Sequence, residues 1–273
     1  MKIDFVNNDI IVSDVSCFSL SLSLDCGQAF RWKKHGDIWQ GVVCDKVLSV
    51  SQNGGNIIFH NTKESDLPFW IDYFDLNRDY ESIINILSDD PYLDTACHEC
   101  YGIRILKQKP WEALCSFIIS ANNNIPRIKG IIEKLCVYFG TEIREGFYSF
   151  PTAFEIAKLD TEDLAPIRAG FRAKYIIDAA RKTSDYEVDL SKVNTLGIQK
   201  AREELIKIKG VGEKVADCTL LYGFNKLSVF PKDVWVKRVL EEMYPQGLPP
   251  FISGFEGVAQ QYLFHWRRNI KSE

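Results

Sequence analysis

Residues 205–218 read LIKIKGVGEKVADC, from Leu205 to Cys218, and the chain continues through TLLYGFNKLSVFPK to Asp233. Ala201, Leu205 and Ile208 recur at helical spacing before Gly210, and Val211, Val215, Cys218 and Tyr222 do so after it. This spacing predicts two helices joined by a Gly-Val-Gly turn over residues 201–222. Gly210 can take the positive φ that ends the first helix, and Gly212 lets a ligand approach the backbone closely. The second helix then starts near Gly212, with unpaired N–H groups and a positive dipole end turned outward. That is an anion site, and a phosphate fits it.

Lys214 falls in the first turn of the second helix. The dipole there disfavours an added positive charge, which favours the neutral amine needed for Schiff-base chemistry. Taken alone, Lys214 is an ordinary solvated lysine. Asp233 follows Phe230-Pro231-Lys232 and precedes Val236, Val239, Leu240 and Met243, which are again helix-spaced. Alone, it is an N-cap. Together, an anion site, a placed amine and a carboxylate point to chemistry on a phosphate-bearing polymer.

Other segments add to this pattern. Leu24-Asp25-Cys26-Gly27-Gln28-Ala29-Phe30-Arg31-Trp32 carries a GQ-x-FRW pattern, and residues 116–128 read SFIISANNNIPRI. Ala169-Gly170-Phe171-Arg172-Ala173-Lys174-Tyr175 and the run QQYLF, from Gln260 to Phe264, complete the set. With LIKIKGVGEKVADC, these motifs resemble, in order and over nearly the whole chain, those of the 8-oxoguanine DNA glycosylase/AP lyase family. That family belongs to the helix-hairpin-helix base-excision superfamily. A lysine at position 214 is the mark of its bifunctional members, and Asp233 falls where the superfamily places its catalytic aspartate.

The resemblance implies an α+β fold: an N-terminal antiparallel β-sheet domain with helices, then a mostly helical glycosylase region of two subdomains. The expected boundaries are residues 1–104 and 105–273. Periodicity supports the division. Phe18, Leu20, Leu22 and Leu24 alternate with serines and predict a strand; residues 38–44, 46–51 and 56–60 are also strand-like. Asp45 and Asn53-Gly54-Gly55 read as turns. From about Tyr80 the period becomes helical, with a clean stripe of Ile128, Ile131, Ile132, Leu135, Cys136 and Phe139.

The resemblance also assigns roles. Lys214 and Asp233 are the expected catalytic pair, and Gly27, Cys218, Gln260 and Phe264 the expected base pocket. Phe171 is the expected wedge and Asn122 the filler of the vacated stack. Arg127 and Arg172 are expected to contact the estranged base, while Gly210, Val211 and Gly212 hold the DNA backbone. The side chains suit these tasks: an aromatic ring stacks, and a guanidinium offers a fork of donors to a base edge. The implied partner is double-stranded DNA containing oxidised guanine, met by a monomer. Three positions depart from the family pattern. Trp235 stands where a phosphate-contacting His is common, Phe171 replaces Tyr, and Cys26 precedes Gly27 where a small residue such as Ser is usual.

Composition fits a globular chain of 273 residues, with 46% hydrophobic and 26% charged residues. A formal net charge of −4 is not that of a typical nucleic-acid binder. Binding must then rest on local donors, namely the hairpin turn, Arg127, Arg172, Lys174, Arg267 and Arg268, with few phosphate contacts and a moderate salt dependence. Eight cysteines without framework spacing imply reduced thiols. The lone Cys97-His98-Glu99-Cys100 lacks the second ligand pair of a structural zinc site, and no cluster cysteines follow Asp233, so no metal or other cofactor is expected. There is no apolar run long enough for a membrane span and no secretory h-region, consistent with a prokaryotic cytoplasm. Two other functions stay open: a glycosylase of the same superfamily for another lesion, and a non-catalytic helix-hairpin-helix DNA clamp. A clamp has no use for Lys214 and Asp233 together.

Overall fold

The computed structural model describes residues 1–269. Six strands form one antiparallel sheet: β1 (Lys2–Val6), β2 (Asp9–Ser13), β3 (Trp32–His35), β4 (Ile38–Val43), β5 (Lys46–Asn53) and β6 (Asn56–His60). Their order across the sheet is β1-β2-β6-β5-β4-β3. The period of two does its usual work, since Leu48 and Val50 of β5 and Ile57 and Phe59 of β6 all turn into the core. The expected turns close the hairpins at residues 44–45 and 54–55, with Val43 opposite Lys46 and Asn53 opposite Asn56. The β1–β2 hairpin extends the sheet beyond the strands that periodicity indicated.

One expected strand is a helix. The Leu-Ser alternation forms α1 (Leu20–Asp25), capped by Ser19, whose hydroxyl accepts from the Leu22 N–H. Leu20 and Leu24 are one turn apart as well as an even number apart, so both periods fit them. Long-range polar contacts favour the helix. Ser23 is fully buried, its hydroxyl donating to the Gly102 carbonyl at 3.3 Å and accepting from the Arg104 N–H at 3.1 Å.

The remaining helices are α2 (Leu67–Tyr73), α3 (Tyr80–Leu87), α4 (Pro91–Glu99), α5 (Pro110–Ser120), α6 (Ile125–Phe139), α7 (Ala153–Ala157), α8 (Ala173–Ser184), α9 (Leu190–Thr195), α10 (Ile198–Ile206), α11 (Glu213–Phe224), α12 (Val234–Met243) and α13 (Glu256–Asn269). A small hairpin, β7 (Glu142–Arg144) and β8 (Phe147–Tyr148), follows α6. Apolar side chains gather in two cores. One lies between the sheet and α2, built on Trp32, Phe59, Trp70, Tyr73 and Phe74. The other unites the helices from α3 onward. Cys97 and Cys100 sit inside that second core, where burial pushes their thiols up to about 12 and about 11. Among the described residues, no group of three or more His, Cys, Asp or Glu is placed to hold a metal ion. No helix among them is long and apolar enough to cross a membrane.

Two buried polar side chains fasten the cores together. Gln28 donates to the Ser23 and Arg104 carbonyls at 2.9 and 2.8 Å and accepts from the Leu106 N–H at 2.9 Å. Arg104, 2% exposed, donates to the carbonyls of Ser16, Cys17, Asp75 and Arg78. Each satisfied group avoids a penalty of about 1–3 kcal/mol for a buried polar atom without a partner. The GQ-x-FRW segment is thus largely architectural: Gln28 ties the seam, and Trp32 packs so tightly under Gly41 that a Cβ there would lie 2.5 Å from its ring.

Candidate active site

The hairpin forms as the sequence predicts. Ile208 and Val211 are buried, and Gly210 has φ +81°, where an added Cβ would come within 2.4 Å of the Tyr175 ring. Glycine is therefore needed twice over at this point, for the turn and for the ring against it. The turn is held from α8, where Asp178 accepts from the Lys209 N–H at 2.7 Å. Across the motif, Arg202 of α10 pairs with the buried Asp217 of α11 at 2.7 Å. Gly212 caps α11 with extended backbone, and nothing lies within 4 Å of where its Cβ would be. Gly212 thus leaves the N-terminus of the twelve-residue α11 open, which is the geometry that the expected anion site requires.

Lys214 is half-buried in the first turn of α11. Its Nζ donates to Ser120 Oγ at 3.3 Å and lies 5.2 Å from the centre of the Phe117 ring. The Ser120 hydroxyl is itself spent on the Phe117 carbonyl at 2.8 Å, which leaves its oxygen lone pairs for the amine. Asp233 is the N-cap of α12, accepting from the Val236 N–H at 2.8 Å. Cys218, one turn beyond Lys214, is pushed up to about 11 by burial, partly offset by the Lys214 charge, so it remains a thiol near neutral pH. Sequence reasoning passed over Ser120 as a partner of the amine. Its place in the SFIISANNN run, at the end of the helix that packs on α11, was the available signal.

The four residues assigned to a pocket converge. Cys218 and Tyr222 share a face of α11, and the Tyr222 hydroxyl reaches Gln260 of α13 at 3.5 Å. Gln260 and Phe264 share a face of α13, and Phe264 packs on Gly27, 3.4 Å from where a Cβ would sit. Gly27 has φ +86°, so a side chain there would be strained as well as crowded. Gln261 anchors the loop by donating to the Cys26 carbonyl at 3.1 Å and accepting from the Tyr222 hydroxyl. This closed polar network fixes α13 against both α11 and the loop before Gly27.

The other assigned residues lie between the end of α5 and the first turn of α6 and in the turn before α8. Asn122 follows α5 in a left-handed conformation, φ +50°, and is exposed. Asn124 caps α6, accepting from the Arg127 N–H at 3.1 Å, and leaves the Arg127 side chain exposed. Phe171 is 51% exposed, an unusual placement for a phenylalanine, with its edge against Tyr175 at 6.0 Å. Arg172 does not share that exposure. It is 2% exposed, with its donors turned onto main-chain carbonyls. At the departure site, Trp235 is half-buried, with the Arg238 guanidinium 5.1 Å from its ring centre.

A hairpin with an open helix N-terminus, an amine in the following turn and an N-capping aspartate define the architecture of a helix-hairpin-helix base-excision protein. Residues 115–247 match the family model described as HhH-GPD superfamily base excision DNA repair protein. Residues 10–114 match that of the 8-oxoguanine DNA glycosylase N-terminal domain. The structure of MBOgg1 in complex with a low-affinity DNA ligand superposes with a TM-score of 0.93 at 40% identity, covering 98% of each chain. The 8-oxoguanine glycosylase/lyase of Clostridium acetobutylicum, in complex with double-stranded DNA containing cytosine opposite 8-oxoguanine, gives 0.92 at 37% identity, again over 98% of each. The N-glycosylase/DNA lyase of Saccharomyces cerevisiae is 42% identical over 158 residues, 52% of this chain. The match spans 42% of the yeast protein's length. The chain belongs to the 8-oxoguanine DNA glycosylase family.

Proposed function

We propose that the protein is a bifunctional DNA glycosylase/AP lyase that excises 8-oxoguanine from duplex DNA. The observation that carries the reading is that Lys214 and Asp233 both lie close enough to Cys218 for their charges to act on its thiol, while Gly27 and Phe264 are in contact. Its support is likeness along the whole chain to a glycosylase/lyase of known structure.

A base inside a duplex is out of reach, so the damaged nucleotide is extruded. Phe171 wedges the stack and Asn122 fills the gap, while phosphates bind the Gly210–Val211–Gly212 turn. In the pocket, the Gly27 carbonyl accepts the N7–H that distinguishes 8-oxoguanine from guanine. Guanine would oppose that carbonyl with a lone pair, at a cost of about 1–3 kcal/mol. Gln260 pairs with the Watson–Crick edge, and Cys218, as a neutral thiol, faces one side of the ring with Phe264 on the other.

Neutral Lys214 attacks C1′ as the C1′–N9 bond breaks, and the base leaves with the bonding electron pair and takes up a proton. Asp233 stabilises the positive charge that develops on the sugar. Opening of the sugar ring gives an imine at Lys214 Nζ, which acidifies the C2′ proton. Loss of that proton expels the 3′ phosphate by β-elimination. Each step uses groups of this chain and the substrate. The reading extends to a monomer acting in a prokaryotic cytoplasm, in keeping with eight free thiols.

The test is a panel of duplexes carrying 8-oxoguanine, an alkylated purine or an oxidised pyrimidine, each assayed for base release and for borohydride trapping. Release and trapping on the 8-oxoguanine duplex are expected. Trapping confined to another lesion would reassign the substrate, and duplex binding without release from any lesion would leave a DNA clamp.

A further inference from the structure

A chain of buried hydrogen bonds runs from the loop before Gly27 towards the amide of Gln260. Its members are almost closed to solvent: Gln261 is 1% exposed, and Tyr222 and Gln260 are each 4% exposed. The chain begins at the Cys26 carbonyl, which can only accept. Gln261 Nε2 donates to it at 3.1 Å. That bond fixes which way the Gln261 amide lies, because the opposite orientation would set two buried acceptors against each other. Gln261 Oε1 is therefore the atom that meets Tyr222, and the Tyr222 hydroxyl donates to it. Burial pushes the Tyr222 pKa well above its usual value, so this proton stays on the phenol. The ring itself is held by stacking on Phe117, with centres 5.1 Å apart and planes at 19°.

A phenol has one proton. With that proton given to Gln261, the Tyr222 oxygen has only lone pairs left for Gln260, whose Oε1 stands 3.5 Å away. Two acceptors then face each other across that gap. A half-turn of the Gln260 amide about its last side-chain torsion replaces Oε1 with Nε2 and turns the opposition into an N–H···O bond. Oε1 is then the end left for a bound base.

We propose that Tyr222 and Gln261 are positioning residues that hold the Gln260 amide with Nε2 on Tyr222 and Oε1 toward the base, so that the pocket accepts a Watson–Crick edge bearing a donor at N1. The proposal rests on the base-extrusion reading above. A guanine-type edge carries N1–H and a 2-amino group, both donors, and suits an amide oxygen. An adenine-type edge carries a lone pair at N1, which Oε1 would oppose. Two consecutive carbonyls thus share the recognition: Gly27 tests N7 directly, and Cys26 tests N1 through three side chains.

8-Oxoadenine separates the two tests, since it has the same N7–H and C8 oxygen as 8-oxoguanine but a lone pair at N1. Single-turnover excision of each lesion opposite cytosine is compared in the wild type, Tyr222→Phe and Gln261→Met. The ratio of the two rates, taken within one preparation, is unaffected by any loss of folded protein. The wild type should favour 8-oxoguanine by at least about a hundredfold, as for a site whose buried polar group the wrong substrate leaves unpaired. Tyr222→Phe keeps the ring and removes the hydroxyl, which frees the amide to turn, and the ratio should fall about tenfold. Gln261→Met alters a side chain spent on Cys26 and Tyr222. It releases the Tyr222 proton to Gln260 Oε1 and should lower the ratio at least as far. An unchanged ratio in either variant, or a wild type that excises the two lesions equally, would overturn the proposal. Failure of the wild type to excise either lesion would instead sink the underlying functional reading.

Discussion

Two edges of the proposed site are built in different ways. Around Gly27, the edge consists of buried side chains that hold one another: Cys218 and Tyr222 on α11, Gln260 and Gln261 on α13, with Phe264 closed on the loop. The edge around Asn122 and Phe171 is exposed, and the backbone places it. Asn122 and Gly170 are left-handed, Asn124 caps α6, and Arg172 binds main-chain carbonyls beneath. Under the proposed function, the pocket rejects normal bases and so needs fixed walls, whereas residues that enter a stack need exposed tips on a rigid base. Substitutions at the first edge should therefore harm both stability and chemistry, and those at the exposed tips of the second chemistry alone.

The proposed nucleophile, Lys214, should be the most sensitive point. Lys214→Gln is expected to reduce single-turnover excision by at least about a thousandfold, because the nucleophile itself is removed. Duplex affinity should stay within a few-fold, since the hairpin amides remain. A binding loss as large as the rate loss would make Lys214 a phosphate contact rather than a nucleophile. Gly210→Ala breaks the hairpin turn where it packs on α8. The left-handed backbone and the Tyr175 ring at 2.4 Å predict a loss of about 2–3 kcal/mol in urea unfolding, together with weaker duplex binding. An unchanged midpoint would contradict the packing described.

Phe171→Ala sharpens the contrast from the exposed side. Excision should fall about tenfold for want of a wedge, while stability should move by no more than about 0.5 kcal/mol, as for most surface changes. A large drop in melting temperature would mean that Phe171 belongs to the core.

The smallest effect is expected in the sheet, at the start of β2. Asp9 accepts from the Asn61 N–H at 2.9 Å and meets His60 at 3.0 Å, and these bonds, the backbone one foremost, hold its pKa below the usual value. A carboxylate with a lowered folded pKa adds stability that is present above the ordinary Asp range and is lost as the pH falls through the folded value. The gap in melting temperature between wild type and Asp9→Asn should thus close on acidification. A gap that widens would reverse the assigned sign.

Much of this was legible in the chain, for physical reasons that differ by region. The hairpin could be read because its signals are local: apolar residues at helical spacing, and glycines where the turn needs them. Strands β4 to β6 were equally open, with alternation and turn residues in register. Helix α1 was misread because leucines four apart satisfy both periods, and what selects the helix is the bonding of Ser23 to Gly102 and Arg104, far along the chain. The burial of Arg172 was hidden for the same reason, since its partners at Ala121 and Asn122 lie on another helix end. Spacing alone could not have grouped Gly27 with Phe264. Family resemblance named that pair, and the fold brings the two into contact.

The most direct test of the account is the site of covalent attachment. Wild-type protein treated with borohydride on an 8-oxoguanine duplex, digested and read by mass spectrometry, should carry the sugar remnant on Lys214 alone, and Lys214→Gln should carry none. An adduct on any other residue, or excision by the wild type without an adduct, would contradict the central claim that the amine at the start of α11 is the nucleophile.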